Sequence, residues 1–310
     1  MKVRAARLLD LAAIEQIHRE AEARLSAVPP PARLWSVVSQ TLSALLPLSQ
    51  ETLLYVAEED GSLVGFVQAS GQPVSLSVSA QNTVFQVLNL CVSGGRDEDA
   101  VAALLIEQLC EQTARRGVNR LFVRVRRDDG LLPCFLTQGF RQFATESVMY
   151  AESPRAAPAA PPDGLRAAKG RDLPQLYHLY RKVTPPSVAQ LEAPTYRDWR
   201  PLQIGTGRRE LVERGEVVAW YRLVAGDETR PATVSVMCVP EAALVEELAD
   251  HVTAAVQSGS SWCSLRHYDA LMIDALRGRG FSILLHQVLL VRELRLREPV
   301  AEQRLVPSFG

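Results

Sequence analysis

The sequence lacks the features that would place it outside the ordinary globular proteins. Its 310 residues contain no apolar run of about 18 residues, the length that a membrane-spanning helix needs. Acidic and basic residues nearly cancel to a net charge of -1, so the composition indicates no nucleic-acid partner. The first residues carry scattered charges and no apolar signal core. We therefore expect a cytoplasmic protein without a membrane or nucleic-acid partner.

Cysteine and histidine are few and scattered. The five cysteines are an odd number without a Cys-x-x-Cys pair and lie in apolar runs, which is typical of small core residues. The five histidines show no metal-ligand spacing, so the sequence predicts neither a disulfide framework nor a metal site. Cys91 and Cys238 are interpreted as equivalent, inert strand residues. His267-Tyr268-Asp269 follows the fifth strand of the second half, where substrate-side groups can lie, but it is interpreted as a surface loop.

A proline-rich segment divides the chain. Residues 151–163 read AESPRAAPAAPPD, and four prolines remove backbone donors and restrict the backbone, so neither a helix nor a central strand is expected there. We predict a linker at 151–163 between domains at 1–150 and 164–295, followed by a C-terminal tail at 296–310.

The two halves repeat the same pattern. Val3–Ile14 matches Leu165–Leu176 without a gap. In each match a short strand leads to an aspartate, Asp10 or Asp172, which is well placed to cap the amphipathic helix that follows. The chain is therefore interpreted as a tandem duplication.

Each half continues with the same order of elements. A hairpin is followed by a strand containing Cys-Val, a helix, another strand, a short helix that ends in Gly-Phe, and a last strand. The Cys-Val strands are Val84–Val92 and Thr233–Val239, and the helices behind them are Ala100–Arg115 and Ala242–Ala255. A further helix is expected after the prolines that end the first helix of each half, Pro29-Pro30-Pro31 and Pro185-Pro186.

This order resembles the GNAT superfamily of acetyl-CoA-dependent N-acyltransferases over nearly the whole chain, and its tandem layout is similar to that of mycothiol synthase. The resemblance implies an α/β (α+β) chain of two GNAT-like domains, each a mixed, mostly antiparallel, splayed sheet flanked by helices. In that family the pantetheine arm of acyl-CoA lies where the central strand parts from its neighbour. The diphosphate rests on backbone N–H groups at the start of the next helix.

Carried onto this sequence, the resemblance assigns the acyl-CoA contacts to the first half, at Leu90, Cys91, Val92, Arg96, Asp97, Asp99, Ala100 and Val101. Three of the positions where glycine is expected carry Asp97, Asp99 and Val101. A carboxylate at ~4 Å from a diphosphate costs roughly 1 to 4 kcal/mol. The alternative interpretation is that acids in a first helical turn only stabilise the helix.

The second half departs further from the family pattern. Met237–Val239 match the central strand, but the chain from Val239 to Trp262 is six residues shorter than its counterpart from Val92 to Leu121. Val239-Pro240-Glu241 is expected to enter the helix directly. No conventional CoA cradle is expected there.

The usual catalytic groups of the family are missing from both halves. Its tyrosine acid corresponds to Phe135 and Leu276, and the central strands carry no carboxylate base, their polar residues being Gln86, Asn89, Thr233 and Ser235. Acid catalysis contributes ~10²- to 10⁴-fold, although positioning an amine beside a thioester supplies much of the rate. No catalytic residue is assigned.

Two functions stay open. The first is an N-acyltransferase that transfers an acyl group from acetyl-CoA or another acyl-CoA to a small-molecule or peptide amine. The second is a catalytically inactive scaffold or ligand sensor with the same fold. The resemblance favours the first, and the missing acid and base favour the second.

Overall fold

The computed structural model describes residues 1–24, 52–71, 84–94, 97–155, 160–203, 206–227, 231–256 and 259–294. Its strands are β1 (Lys2–Ala5), β2 (Thr52–Glu59), β3 (Ser62–Gly71), β4 (Val84–Val92), β5 (Arg120–Arg126), β6 (Arg141–Ala151), β7 (Leu165–Ala167), β8 (Arg208–Arg214), β9 (Glu216–Val224), β10 (Ala232–Cys238), β11 (Ser261–Arg266) and β12 (Ser282–Glu293).

The helices flank these strands. They are α1 (Leu11–Arg24), α2 (Glu98–Arg115), α3 (Leu132–Thr137), α4 (Leu173–Val183), α5 (Pro186–Glu192), α6 (Tyr196–Trp199), α7 (Ala242–Ala255) and α8 (Ala270–Gly278). The predicted strand Val84–Val92 and helix Ala242–Ala255 are confirmed to the residue. The helix predicted after Pro29-Pro30-Pro31 and the tail at 296–310 lie outside the described residues.

All described strands join one sheet, in the order β1-β2-β3-β4-β5-β12-β6-β11-β10-β9-β8-β7. The outer five strands of each half mirror one another, and the two last strands meet at the centre. β12 pairs with β5 of the first half, β6 pairs with β11 of the second half, and β6 and β12 pair with each other, all antiparallel. The two halves have therefore exchanged their final strands.

The central strands are buried on both faces because each half covers them with its own helices. On one face Val288 and Leu290 of β12 pack into the core that α2 and α3 form with the first half. On the other face Leu289 packs with Ala144 of β6 and Val188 of α5. The exchanged strands thus belong to hydrophobic clusters of both halves.

Four groups of helices cover the two faces of the sheet. α2 and α3 cover one face of the first half, and α7 and α8 cover the corresponding face of the second. α1 lies on the opposite face of the first half, with Ile14 and Ile17 against Phe66. α4, α5 and α6 lie on that face of the second half, where Trp199 and Trp220 are buried as core residues.

The prediction that Asp10 and Asp172 cap the following helices holds in position for Asp172, which is the N-cap residue of α4, but its side chain makes no capping hydrogen bond. Both aspartates lie at the end of a short 3-10 turn. Asp172 instead accepts two hydrogen bonds from Arg166, at 2.8 and 3.0 Å, and one from the Lys169 N–H, at 2.7 Å. A bidentate pair with arginine is stronger than a single neutral cap.

The first half repeats this arrangement. Asp10 accepts hydrogen bonds from both terminal nitrogens of Arg4, at 2.7 and 3.0 Å, and from the Arg7 N–H at 2.6 Å. Each arginine also binds a glutamate of the neighbouring strand, Glu58 at 2.8 Å or Glu213 at 2.7 Å. The matched sequence segments therefore fold into the same clasp between the first strand and first helix of each half.

We expect Asp172→Asn to destabilise the protein by about 1.5 to 3 kcal/mol, because it removes the charge from hydrogen bonds to Arg166. Arg166 holds the pKa of Asp172 down at about 2, against an ordinary 3.8, so the contribution is present above pH 4 and is lost as the pH falls towards 2. Urea unfolding should show that the difference in unfolding free energy between the native chain and Asp172→Asn becomes smaller as the pH falls across this range. Asp274→Asn, at an exposed pair, is the control, and a gap that is constant with pH contradicts the assignment.

The strand exchange predicts how a cut chain behaves. If residues 156–159 are replaced by a specific protease site and the site is cut, the two fragments should stay together in gel filtration and separate only in denaturant. The reason is that β6 and β12 are held by ladders on both sides, across the cut. Fragments that elute separately without denaturant would contradict the exchange.

Candidate functional site

In each half the two parallel central strands part before they end. β4 pairs with β5 only over Val84–Val87, whose partners are Arg120–Val123, although β4 continues to Val92. β10 and β11 likewise pair only as far as Val234 and Cys263, although β10 continues to Cys238. We call the two resulting openings the first slot, between β4 and β5, and the second slot, between β10 and β11.

One edge of each slot consists of backbone groups without a strand partner on that side. The Ser93 N–H donates to the Val64 carbonyl, and the Val239 N–H to the Val218 carbonyl, both at 2.9 Å. Because successive strand residues direct their N–H groups to opposite edges, the preceding residues Val92 and Cys238 direct theirs into the slots. These groups suit the amides of an extended ligand.

The interpretation of Cys91 and Cys238 as equivalent is wrong. Ala219 on β9 and Gly65 on β3 are equivalent positions of the two hairpins. Ala219 pairs with Cys238, but Gly65 pairs with Val92, so Val92 and not Cys91 is the counterpart of Cys238. A register shift beside Asn89 inserts one extra residue into β4, so that the two Cys-Val pairs are offset by one. Cys91 therefore lies on the α1 face, while Cys238 lies in the second slot.

The residues assigned to acyl-CoA in the first half divide into strand and helix groups. Leu90 is half-buried, and Cys91 and Val92 are buried, along the edge of the first slot. Val101 is buried in the core below them, so its side chain is unavailable to a ligand. Arg96 lies outside the described residues.

The start of α2 is already occupied by an acid. The Asp97 carboxylate accepts a hydrogen bond from the Ala100 N–H at 3.1 Å and so caps the helix, and Asp99 and Ala100 are exposed beside it. A diphosphate at this position would have to displace the Asp97 carboxylate from a donor and lie beside its charge. The structure therefore brings the strand residues to a slot but not the helix residues to an open anion cradle.

The start of α7 differs from that of α2. The chain passes from β10 through Val239, Pro240 and Glu241 into the helix, as predicted. The Glu241 side chain makes no capping hydrogen bond, so the first N–H groups of α7 are not engaged by it. Although its loop is shorter, the second half leaves its helix start less occupied by side-chain acceptors than the first.

A cavity of about 110 Å³ occupies the second slot. The side chains around it come from β10, β11, the ends of α4 and α8 nearest the slot, the loops after β10 and β11, and α7, and they include Val236, Cys238, Leu265, Tyr268, Asp269 and Met272. Its lining is mostly apolar and includes the polar side chains of Tyr268 and Asp269. Small-molecule sites share this kind of lining but are usually larger, about 300 to 1,000 Å³.

Asp269 is the carboxylate in the lining of this cavity. Its Oδ2 accepts a hydrogen bond from the Arg266 N–H at 3.2 Å. Burial raises its pKa to about 6. The interpretation of His267-Tyr268-Asp269 as a surface loop is thus correct only for exposed His267, because Tyr268 and Asp269 are partly buried around the cavity.

A buried ion-pair network adjoins the second slot. Arg266 at the end of β11 binds Glu192 of α5 at 2.6 Å and approaches Glu146 of β6 at 3.7 Å. Glu146 also accepts a hydrogen bond from Arg124 of β5 at 3.0 Å. Since β6 and β5 belong to the first half, the surroundings of the second slot are built from both halves.

The first slot has a different arrangement at the equivalent places. Arg126 ends β5 as Arg266 ends β11. The strand partner of Arg266 is Glu146 on β6, whereas that of Arg126 is the neutral Gln287 on β12. Arg126 binds Asp128 at 2.6 Å instead. The exchanged strands therefore give the two slots different electrostatic surroundings.

Several candidate groups prove to be structural. Phe135 and Leu276, at the positions of the family's acid, are buried core residues, and Phe135 packs edge-on against Phe140. Burial raises the pKa of the Cys238 thiol to about 12, so it is protonated at neutral pH and a poor nucleophile. Within the described ranges, no group of three His, Cys, Asp or Glu is placed to hold a metal ion. None of the described helices is long and apolar enough to cross a membrane.

The fold is similar to those of several solved structures. A GCN5-related N-acetyltransferase from Sphaerobacter thermophilus superposes with a TM-score of 0.62 at 17% identity, covering 95% of this chain and 96% of that chain. A tandem GNAT protein from the clavulanic acid biosynthesis pathway gives 0.59 at 15% identity, covering 95% and 98%. A putative acetyltransferase from Pyrococcus horikoshii gives 0.57 at 12% identity, covering 96% and 91%.

The chain thus has the fold of the GCN5-related N-acetyltransferases. More narrowly, it has their tandem arrangement, in which two such units follow one another in one chain. No protein-family model matches the sequence, and no curated protein is significantly similar to it.

Sequence reasoning weighed Tyr268 and Asp269 but assigned them to the surface, and it missed Glu146. For Tyr268 and Asp269 the signal was their position directly after a strand, where substrate-side groups can lie. For Glu146 no local signal exists, since its contact with Arg266 depends on the exchange of the last strands.

We expect Asp269→Asn to stabilise the protein above pH 6 by about 2 kcal/mol, because the buried carboxylate must ionise there at a cost of 1.36 kcal/mol per pKa unit. The raised pKa means that the folded state holds its proton up to about pH 6, whereas the unfolded chain releases it near 3.8. The advantage of the variant should therefore shrink as the pH falls from 6 to 4.

Urea unfolding at pH 8 and pH 4 measures this difference. Asp129→Asn is the matched control, because Asp129 occupies the same turn after β5 and its Oδ1 accepts the Leu131 N–H at 2.9 Å. An Asp269→Asn variant that is less stable than the native chain at pH 8 would contradict the burial argument.

Proposed function

We propose that the chain is an acyl-CoA-dependent N-acyltransferase that holds the thioester of acetyl-CoA or another acyl-CoA in the second slot. The acceptor is a small-molecule or peptide amine. One observation supports this proposal: the cavity between the parted strands β10 and β11 has apolar walls, backbone donors on one edge and a partly buried carboxylate, Asp269, in its lining. An extended thioester arm and an amine need these three features.

The groups around the cavity suggest roles in acyl transfer. The amine nitrogen forms a bond to the acyl carbon, the carbon–sulfur bond breaks, and one proton leaves the nitrogen while the thiolate gains one. Asp269 suits the role of the base that accepts the proton from the amine nitrogen. With a pKa of about 6 it is ionised at neutral pH, and it is more basic than an ordinary aspartate. Burial raises the pKa of Tyr268, so its hydroxyl keeps its proton and serves as a hydrogen-bond donor to the departing sulfur, while the thiolate takes its proton from solvent.

The assignment of acyl-CoA to Leu90, Cys91, Val92, Arg96, Asp97, Asp99, Ala100 and Val101 stays a prediction. The first slot has the same backbone edge as the second, but Asp97 caps its helix. We therefore favour the second slot for the thioester arm, although no conventional cradle for the diphosphate is expected there, and treat the first slot as the competing position.

The second candidate function is a catalytically inactive scaffold or ligand sensor. Buried Phe135 and Leu276 at the acid positions, together with the acidic cap of α2, favour it. In that case the cavity would bind a small ligand without turnover.

A pair of matched variants tests the proposal. Val236 lines the second slot, and Leu90 stands at the equivalent place in the first, two residues before Val92. A tryptophan at either position should fill its slot. We expect Val236→Trp to weaken acetyl-CoA binding by ~100-fold or more, because the ligand loses its place, and Leu90→Trp to leave it unchanged.

Calorimetric titration with acetyl-CoA measures both variants, and circular dichroism checks that they fold. Loss of binding in Leu90→Trp alone would move the site to the first slot. If the native chain binds no acetyl-CoA at millimolar concentration, the acyltransferase proposal fails and the scaffold remains.

A further inference from the structure

We infer that the second slot takes an acceptor that also bears an anionic group, a carboxylate or a phosphate, and that Arg222 binds this group. The role of this ligand as an acyl acceptor rests on the proposed function. The anion site itself rests on Arg222 and its neighbours on the sheet.

Arg222 lies in a row of side chains that leads to the mouth of the second slot. Its partner on β10 is Ser235, and its partner on β8 is Arg209. Ser235 is the first residue of β10 beyond the pairing with β11, which ends at Val234. Because neighbouring strands are about 5 Å apart, Arg222 stands one strand away from the point where the slot opens.

The row lies on the face of the sheet that α4 and α6 cover. Trp220, two residues before Arg222 on the same strand, packs there with Trp199 and Tyr180. Side chains two apart on a strand share a face, so Arg222 faces the same side. An acceptor on this face would approach the slot from the side opposite α7.

Arg222 holds a buried donor that nothing in the described residues satisfies. Its Nε is buried without a hydrogen-bond partner there, and so is Nε1 of the neighbouring Trp220. Leaving such a donor unpaired is costly, and a cation makes it more so. A ligand with acceptor oxygens beside Arg222 would satisfy its Nε.

The charge around Arg222 is positive. Burial and the charge of Arg209, directly opposite on β8, both lower the pKa of Arg222. Like charges facing one another across two strands are destabilising. Arg209 has a contact of its own. The carboxylate of the next residue, Glu210, is turned to the other face, where it binds His251 and Arg208.

The first half shows that this row does not need a cation to fold. The equivalent residues are Leu54 on β2, Gln68 on β3 and Asn89 on β4, which pair in the same way. Asn89 donates a hydrogen bond to Gln68 at 2.7 Å. The arginines are thus a property of the second half, and the planar guanidinium group matches carboxylate and phosphate oxygens.

Titration of the full chain with inorganic phosphate and, separately, with acetate tests the anion site without any acyl transfer. We expect Arg222→Gln, which installs the side chain of the first half, to weaken binding of the preferred anion by ~10-fold or more, and Arg222→Lys to weaken it less. Arg208→Gln removes a cation on the opposite face of the sheet and should change nothing. Equal affinity of native protein and Arg222→Gln for both anions overturns the inference.

Thermal unfolding without anion gives a second readout. Because Arg222 faces Arg209, Arg222→Gln should melt at the same temperature as the native chain or higher. A clear fall in melting temperature would show that Arg222 stabilises the fold and would overturn the inference. If Arg222→Gln fails to fold at all, that outcome counts in the same way.

Matched amines identify the class of acceptor on the native chain. Phosphoethanolamine is compared with ethanolamine, and alanine with alaninamide, by displacement of the bound anion. Tighter binding of the anionic member of a pair supports the inference and separates phosphate from carboxylate. Equal binding within both pairs overturns it.

These experiments separate the two proposals. Phosphate or acetate binding that depends on Arg222, in a chain that binds no acetyl-CoA, would remove the acyltransferase and leave the anion site. Acetyl-CoA binding lost in Val236→Trp, with anion affinity unchanged in Arg222→Gln, would retain the acyltransferase and remove the anion site.

Discussion

The exchange of β6 and β12 is the constraint on which the rest of the structure depends. Each last strand completes the sheet of the other half, so backbone hydrogen bonds tie residues far apart in the sequence into one sheet. Neither half then offers an open edge at its centre, which removes a site where strands of other chains could pair. The relative position of the two slots is fixed by the same hydrogen bonds.

Duplication followed by divergence explains how the two slots differ. The Arg–Asp clasps, the parted central strands and the helix that follows them recur in both halves. Around this common frame the first half has acquired a bulge in β4, a capping Asp97 and a neutral amide pair. The second has a cavity with Asp269 and an arginine row beside it. One half can thus change its chemistry while the other keeps the sheet intact.

The chemistry of the second slot depends on burial. Asp269 occupies the position in its turn that Asp129 occupies in the equivalent turn of the first half. In both turns the aspartate N–H donates a hydrogen bond to the carbonyl of the arginine that ends the preceding strand. At Asp269 the packing of α8 and the cavity walls remove solvent, and that raises its pKa towards neutrality. Nearby, Arg266 pairs with Glu192 and Glu146 pairs with Arg124. A local turn was in this way converted into a candidate proton acceptor without a new residue type.

The sequence alone determined the duplication, the order of elements and the limits of elements such as β4 and α7, because these follow from local periodicity, turn residues and repeated text. It also placed Leu90 and Val92 on a strand that parts from its neighbour, through the resemblance. Only the tertiary structure decided the exchange of the last strands, the one-residue offset between Cys91 and Cys238, and the burial of Asp269 and Arg222. These depend on contacts between residues far apart in the chain, and such contacts leave no trace in local pattern.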